Sequence, residues 1–103
     1  MNILKEFEQW LAKNSARLEK KGFSTEFIYG KPSLNPGAYI DINSEKITAR
    51  ATLWESMSFD LDAIVSGDGT NLISEIHEIK DIQEAFILLE DFLNRVITES
   101  QIS

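Results

Sequence analysis

Cysteine is absent from this sequence, and histidine occurs once, at His77. The first absence removes disulfides, thiolate metal sites and thiol nucleophiles together. The second leaves a Ser-His-Asp arrangement with one candidate base and no Gly-x-Ser-x-Gly elbow to go with it. A zinc site would need a further imidazole or a thiolate. Proline occurs twice, at Pro32 and Pro36, so the rest of the chain is free to form regular elements. No apolar run approaches the ~20 residues that span a bilayer, and the N-terminus has no apolar leader segment. Basic residues are scarce: 10 Lys and Arg stand against 17 Asp and Glu, for a net charge of −7. A nucleic-acid binder needs a cationic footprint, and none is present. The charge favours solubility and faster encounter with cationic partners. No glycine-rich phosphate loop or dinucleotide fingerprint occurs, and Gly67-Asp68-Gly69-Thr70-Asn71 lacks the alternating carboxylates of a calcium loop.

What is present suits one α+β domain over residues 1–103. At 43% hydrophobic and 26% charged, the composition is that of a globular protein, and a chain of 103 residues can bury a core without covalent staples. Residues 2–21 have a helical stripe through Leu4, Phe7, Leu11 and Leu18, and Gly22 supplies a left-handed stop. From Phe23 the period changes to two. A first strand ends near Tyr29, and Pro32 and Pro36 make the following stretch a loop. Three alternating runs follow: Ala38–Asn43, Ile47–Trp54 and Phe59–Val65. Turns are expected at residues 43–46, 56–58 and 66–70, with a weaker fifth strand over Leu72–His77. Asp81 and Glu84 form a capping-box pair ahead of a C-terminal stripe through Ile82, Phe86, Leu89, Leu93 and Val96. Short connections imply an antiparallel meander of about five strands, with the N-terminal and C-terminal helices packed on one face.

The other face then gathers Tyr39, Asp41, Thr48, Arg50, Thr52, Trp54, Asp60, Asp62 and Ile64. Simple hairpins set Trp54 across from Asp60, Thr52 across from Asp62, and Arg50 beside Tyr39 and Ile64. Aromatic residues and arginine among carboxylates are what protein interfaces favour, although ordinary cross-strand pairs on a solvated face have the same composition. Asp60 and Asp62 are two residues apart and could in principle do acid–base work with His77. A polar face or a cation-seeking interface is the simpler account of them.

Three stretches carry a family resemblance. They are the helix Phe7-Glu8-Gln9-Trp10-Leu11-Ala12-Lys13-Asn14 running to Lys21-Gly22-Phe23, the segment Lys31-Pro32-Ser33-Leu34-Asn35 through Ala38-Tyr39-Ile40-Asp41-Ile42, and the strand end Thr52-Leu53-Trp54-Glu55-Ser56 leading into Asp60-Leu61-Asp62. In these the chain resembles the small bacterial immunity proteins of contact-dependent growth inhibition and polymorphic toxin systems. The residues themselves argue for a cytoplasmic, non-enzymatic protein that uses no cofactor and no metal, and the resemblance implies a cognate inhibitor. Its partner would be a cognate toxin domain, a basic nuclease of the ribonuclease kind, held as a 1:1 complex by a monomer without membrane or nucleic acid. The residues expected to meet the toxin are Trp54 as aromatic anchor, Asp60, Asp62, Asp41 and Glu55 against basic groups, and Tyr39 and Arg50 as added contacts, with the loop 31–37 as a second surface. Two alternatives stand beside this: an adaptor or chaperone-like binding module, and a small enzyme using Asp60, Asp62 and His77.

Overall fold

The computed structural model describes residues 2–102. Its elements run α1 (Ile3–Lys20), β1 (Ser24–Tyr29), β2 (Gly37–Asn43), β3 (Ile47–Trp54), β4 (Ser58–Val65), β5 (Asn71–Glu78) and α2 (Ile82–Ile102). The five strands form one antiparallel sheet in sequential order. This is the α+β meander that the alternating runs predict.

Local chemistry sets the helix ends. Asn2 caps α1, its side-chain oxygen accepting from the backbone N–H of Leu4 at 3.0 Å. At the other end Gly22 takes a left-handed φ of 92°. Its N–H donates to the Glu19 carbonyl at 3.0 Å, and that of Phe23 to the Leu18 carbonyl at 3.1 Å. Those two bonds engage carbonyls left open at the helix end and turn the chain so that Phe23 is buried. The expected box at α2 forms in a modified way. The Glu84 N–H donates to Asp81 Oδ1, and the Glu84 carboxylate accepts from the N–H of Lys80.

Alternation sorts the strand side chains. Ile40, Ile42, Ala49, Ala51, Leu53, Phe59, Leu61 and Ala63 are all buried, on the face that α1 and α2 cover. The alanines leave room for large side chains from the helices. Phe7 of α1 packs edge-on against Phe59 and Phe27, with ring centroids 5.9 and 5.8 Å away. The two helices meet through Trp10 stacked on Phe86 at 6.4 Å and through Arg17 paired with Glu90 at 2.7 Å. No polar or charged residue among those described is buried, so the core carries no desolvated charge. Among the described residues, no helix is long and apolar enough to cross a membrane.

The hairpin registers differ from the simplest expectation by two residues. Arg50 pairs with Asp41 and Asp62, Thr52 with Tyr39 and Asp60, and Gly37 with Trp54. The β3–β4 loop is Glu55-Ser56-Met57, with Met57 at a positive φ of 72° and its N–H donating to the Trp54 carbonyl at 2.9 Å. A three-residue loop of this kind ends in a left-handed residue, normally glycine. Met57 accepts that strain while its side chain packs on the core and its carbonyl accepts from the N–H of Ile79. The turn is thus centred on Ser56, one position earlier than the sequence suggests. A shift of two preserves the face of every side chain, because the strand period is two.

The fifth strand also runs one residue further at each end than expected. Pairing with Phe59 and Leu61 puts His77 and Glu75 on the helix side. There Arg95 of α2 reaches the Glu75 carboxylate at 2.7 Å and His77 Nε2 lies 2.9 Å from it. The Arg95 guanidinium, and then His77, hold the Glu75 carboxyl well below its ordinary range, down to about 2. A depressed folded-state value means that this contribution to stability is present at neutral pH and disappears as pH falls from the ordinary glutamate range of about 4.3 through about 2. Glu75→Gln is therefore expected to lower the urea midpoint at pH 7, and the gap from the native chain should close as pH falls through that window. A gap that stays constant with pH would contradict the ion-pair account.

Candidate functional site

The helices cover one side of the sheet, and among the described residues no element covers the other. Its polar side chains are organised by pairing among themselves. The Trp54 indole lies over Gly37, where a Cβ would come within 2.6 Å of the ring carbon Cε3. Glycine is required there because the indole occupies the space that a side chain would need. Trp54 is half-buried in consequence. Its Nε1–H donates to Asp60 Oδ2 at 3.2 Å, and the Ser58 hydroxyl lies 3.4 Å from Asp60 Oδ1. Both oxygens of Asp60 are thereby engaged.

A second unit lies across β2 and β3. Arg50 Nε donates to Asp41 Oδ1 at 2.7 Å and its Nη2 to Oδ2 at 3.2 Å, a two-pronged arrangement with planar specificity. The guanidinium carbon also sits 3.9 Å from the centre of the Tyr39 ring, close enough for cation–π attraction. The bond to Asp41 raises the Arg50 pKa above its already high value, with the carboxylate charge adding to it. Asp62 faces Arg50 across the strands, yet the guanidinium turns toward Asp41. Asp41, Arg50, Asp62 and Ile64 line a shallow groove of about 180 Å³.

At one end of this face the loop 31–36 is tied to the β3–β4 turn. The Gly30 N–H donates to the Gly37 carbonyl at 2.8 Å, and the Glu55 N–H to the Pro36 carbonyl at 2.8 Å. The Asn35 side chain exchanges two hydrogen bonds with Ser56, each 3.1 Å. Glu55 is therefore exposed at the rim, beside a loop whose Leu34 side chain is wholly exposed.

Residues 5–95 match the family model described as Immunity protein TriTu. The chain belongs to this family. Immunity proteins neutralise toxins, so the chain is a bacterial toxin-immunity protein whose partner is a cognate toxin. No curated protein matches it.

Within this TriTu member the fold brings Tyr39, Asp41, Arg50, Trp54, Asp60 and Asp62 onto one continuous face, with Glu55 at the edge. Trp54 and Asp60 are diagonal neighbours in hydrogen-bond contact, not directly opposite as simple registers suggest. Arg50 does meet Tyr39, but by reaching diagonally. His77 lies on the helix side of the sheet, away from Asp60 and Asp62, so these three do not assemble into one site. No cluster of three or more His, Asp or Glu that could hold a metal ion occurs among the described residues.

Sequence reasoning missed two contributors. Ile76 pairs with Asp60 and stands on the same outer face, 79% exposed. Its phase in β5, two residues from Ser74 and from Glu78, was the available signal. Gly37 follows Pro36 and so has the sequence signature of a loop, whereas it begins β2 as the seat of Trp54. Gly37→Ala should push the indole off its seat and cost about 1–3 kcal/mol through overpacking. In a Trp10→Phe background, Trp54 emission should shift to the red with the loss of stability. An unchanged spectrum and melting temperature would show that the close approach does not constrain the indole.

Proposed function

We propose that this chain neutralises a ribonuclease toxin of a contact-dependent growth inhibition system by laying the uncovered sheet face over the toxin's active-site cleft. The observation that carries the reading is the charge of that face. Glu26, Asp41, Asp60, Asp62 and Glu78 point outward from it, against Arg50 as its one cation among the described residues. A ribonuclease cleft must attract phosphate and so presents cations. A rigid carboxylate surface can meet the same groups without being cleaved. The net charge of −7 supports the same partner at long range. The pre-arranged pairs support it at short range, since side chains already held in place lose less entropy on docking.

On this reading Trp54, Tyr39 and Arg50 supply contact area near the centre. Asp41, Asp60, Asp62 and Glu55 supply charge, and the loop around Leu34 closes one rim. The inhibitor acts in the cytoplasm as a monomer in a 1:1 complex. It occludes the cleft and performs no chemistry of its own.

The cognate toxin domain, purified and mixed with this chain, should co-elute as a 1:1 complex and lose its cleavage of RNA. Failure to form a complex at micromolar concentration, or a complex that still cleaves RNA, would overturn the reading. Trp54→Ala is expected to weaken the complex by about 2 kcal/mol, the size of an interface hot spot, in a variant that remains folded by circular dichroism. Association should slow several-fold between about 0.1 and 1 M salt, as the screening length falls from about 10 to about 3 Å. An association rate indifferent to salt would exclude steering by the acidic field.

A further inference from the structure

On the outer face the carboxylates are not equivalent. Asp41 is closed by the Arg50 fork, and Asp60 is engaged by Trp54 and Ser58. Asp62 is exposed and makes no hydrogen bond or ion pair with the described residues, although Arg50 and Ser74 are its cross-strand partners. Two apolar side chains bracket it. Ile64, two residues along β4, is 38% exposed, and Ile76, diagonal to it on β5, is 79% exposed. Diagonal neighbours on a sheet lie about 7–8 Å apart, within reach of one another's side chains. One exposed isoleucine would need no explanation. Two of them on adjacent strands around a carboxylate that feels the charge of Arg50 but forms no hydrogen bond with it, on the face of a protein whose family binds a toxin, make a specific pattern.

We infer that the β4–β5 half of this face, centred on Asp62, Ile64 and Ile76, is the principal anchor for the toxin. The complementary element on the toxin is an exposed lysine or arginine flanked by apolar side chains. The cation meets Asp62, and the aliphatic groups cover Ile64 and Ile76 and exclude water from the pair. The exclusion matters because an ion pair left in water contributes little, whereas one ringed by dry contacts is where interface energy concentrates. Arg50–Asp41–Tyr39 and Trp54–Asp60 hold the rest of the surface in shape, and Trp54 adds contact area beside the anchor. This inference rests on the proposal that the outer face binds the toxin, and it narrows that proposal to residues that sequence reasoning did not rank first.

The test measures the affinity of the full chain for the cognate toxin domain, using Ile76→Ser, Ile64→Ser and Asp62→Asn. Ile87→Ser serves as the control, since Ile87 is 70% exposed on α2. All four positions are exposed, and thermal melts confirm that each variant folds. Ile76→Ser and Asp62→Asn should each raise Kd by about thirtyfold, the hot-spot scale, and Ile87→Ser should leave it unchanged. The Asp62→Asn/Ile76→Ser double variant should lose less than the product of the two single losses, because the dry contact and the ion pair depend on each other. If Trp54→Ala weakens the complex while the Ile76 and Asp62 variants bind normally, the anchor lies elsewhere on the same face and this inference fails alone. If the complex forms and no outer-face variant, Trp54→Ala included, alters Kd, the docking face itself is wrong and both readings fall.

Discussion

The architecture of this protein follows from the need to hide the apolar side of β2, β3 and β4. Those strands alternate so strictly that one side of the sheet is a continuous layer of isoleucine, leucine, phenylalanine and alanine. Leaving it in water would cost on the order of 25 cal/mol for each Å² exposed. The two helices carry the matching stripes, and four small residues, Ala38, Ala49, Ala51 and Ala63, let Phe7 and Phe92 sink against the sheet. Once that layer closes, the second set of side chains has nowhere to go but the opposite face. The polar face is therefore a by-product of core formation in its location, though not in its detail.

The detail comes from pairing within the face. Trp54 rests on a glycine and binds Asp60, and Arg50 clasps Asp41 and caps Tyr39. The first unit joins three strands and the second joins two, so each depends on a register that the turns impose. The loop 31–36 is fastened to the neighbouring turn through Asn35 and Ser56, which sets one rim. On the proposed docking of this face to the toxin, little ordering remains to be done when the two meet. The ion-pair cluster around Glu75 lies on the other side of the sheet, where α2 meets the β5 edge. Charges turned inward at an edge strand also discourage further strand addition.

Much of the architecture is legible in the chain because it rests on local rules. The 3.6-residue stripes, the two-residue alternation, Gly22 after a basic turn, and the Asp81/Glu84 pair each act over a few residues. The face assignment of Tyr39, Asp41, Arg50, Trp54, Asp60 and Asp62 was equally legible, because it depends only on odd and even positions within a strand. Which of these residues touch was not legible. A hairpin register is decided by the loop's backbone, and here Met57 adopts a left-handed conformation that its side chain gives no cue to expect. The exposure of Ile76 is hidden for a related reason: β5 places charged residues on the covered side, so its alternation is not one of simple apolar-in and polar-out.

The element order, the α+β class, the identity of the buried layer and the acidic character of the outer side are all written in the chain. These are consequences of periodicity and composition, which act along the chain. The tertiary structure alone decided that Asp60 is held by Trp54, that Asp41 is held by Arg50, and that Asp62 is left between two exposed isoleucines. Those relations join residues on different strands. Their distances depend on turn geometry and on the close packing of an indole against a bare backbone, which no single stretch of sequence encodes.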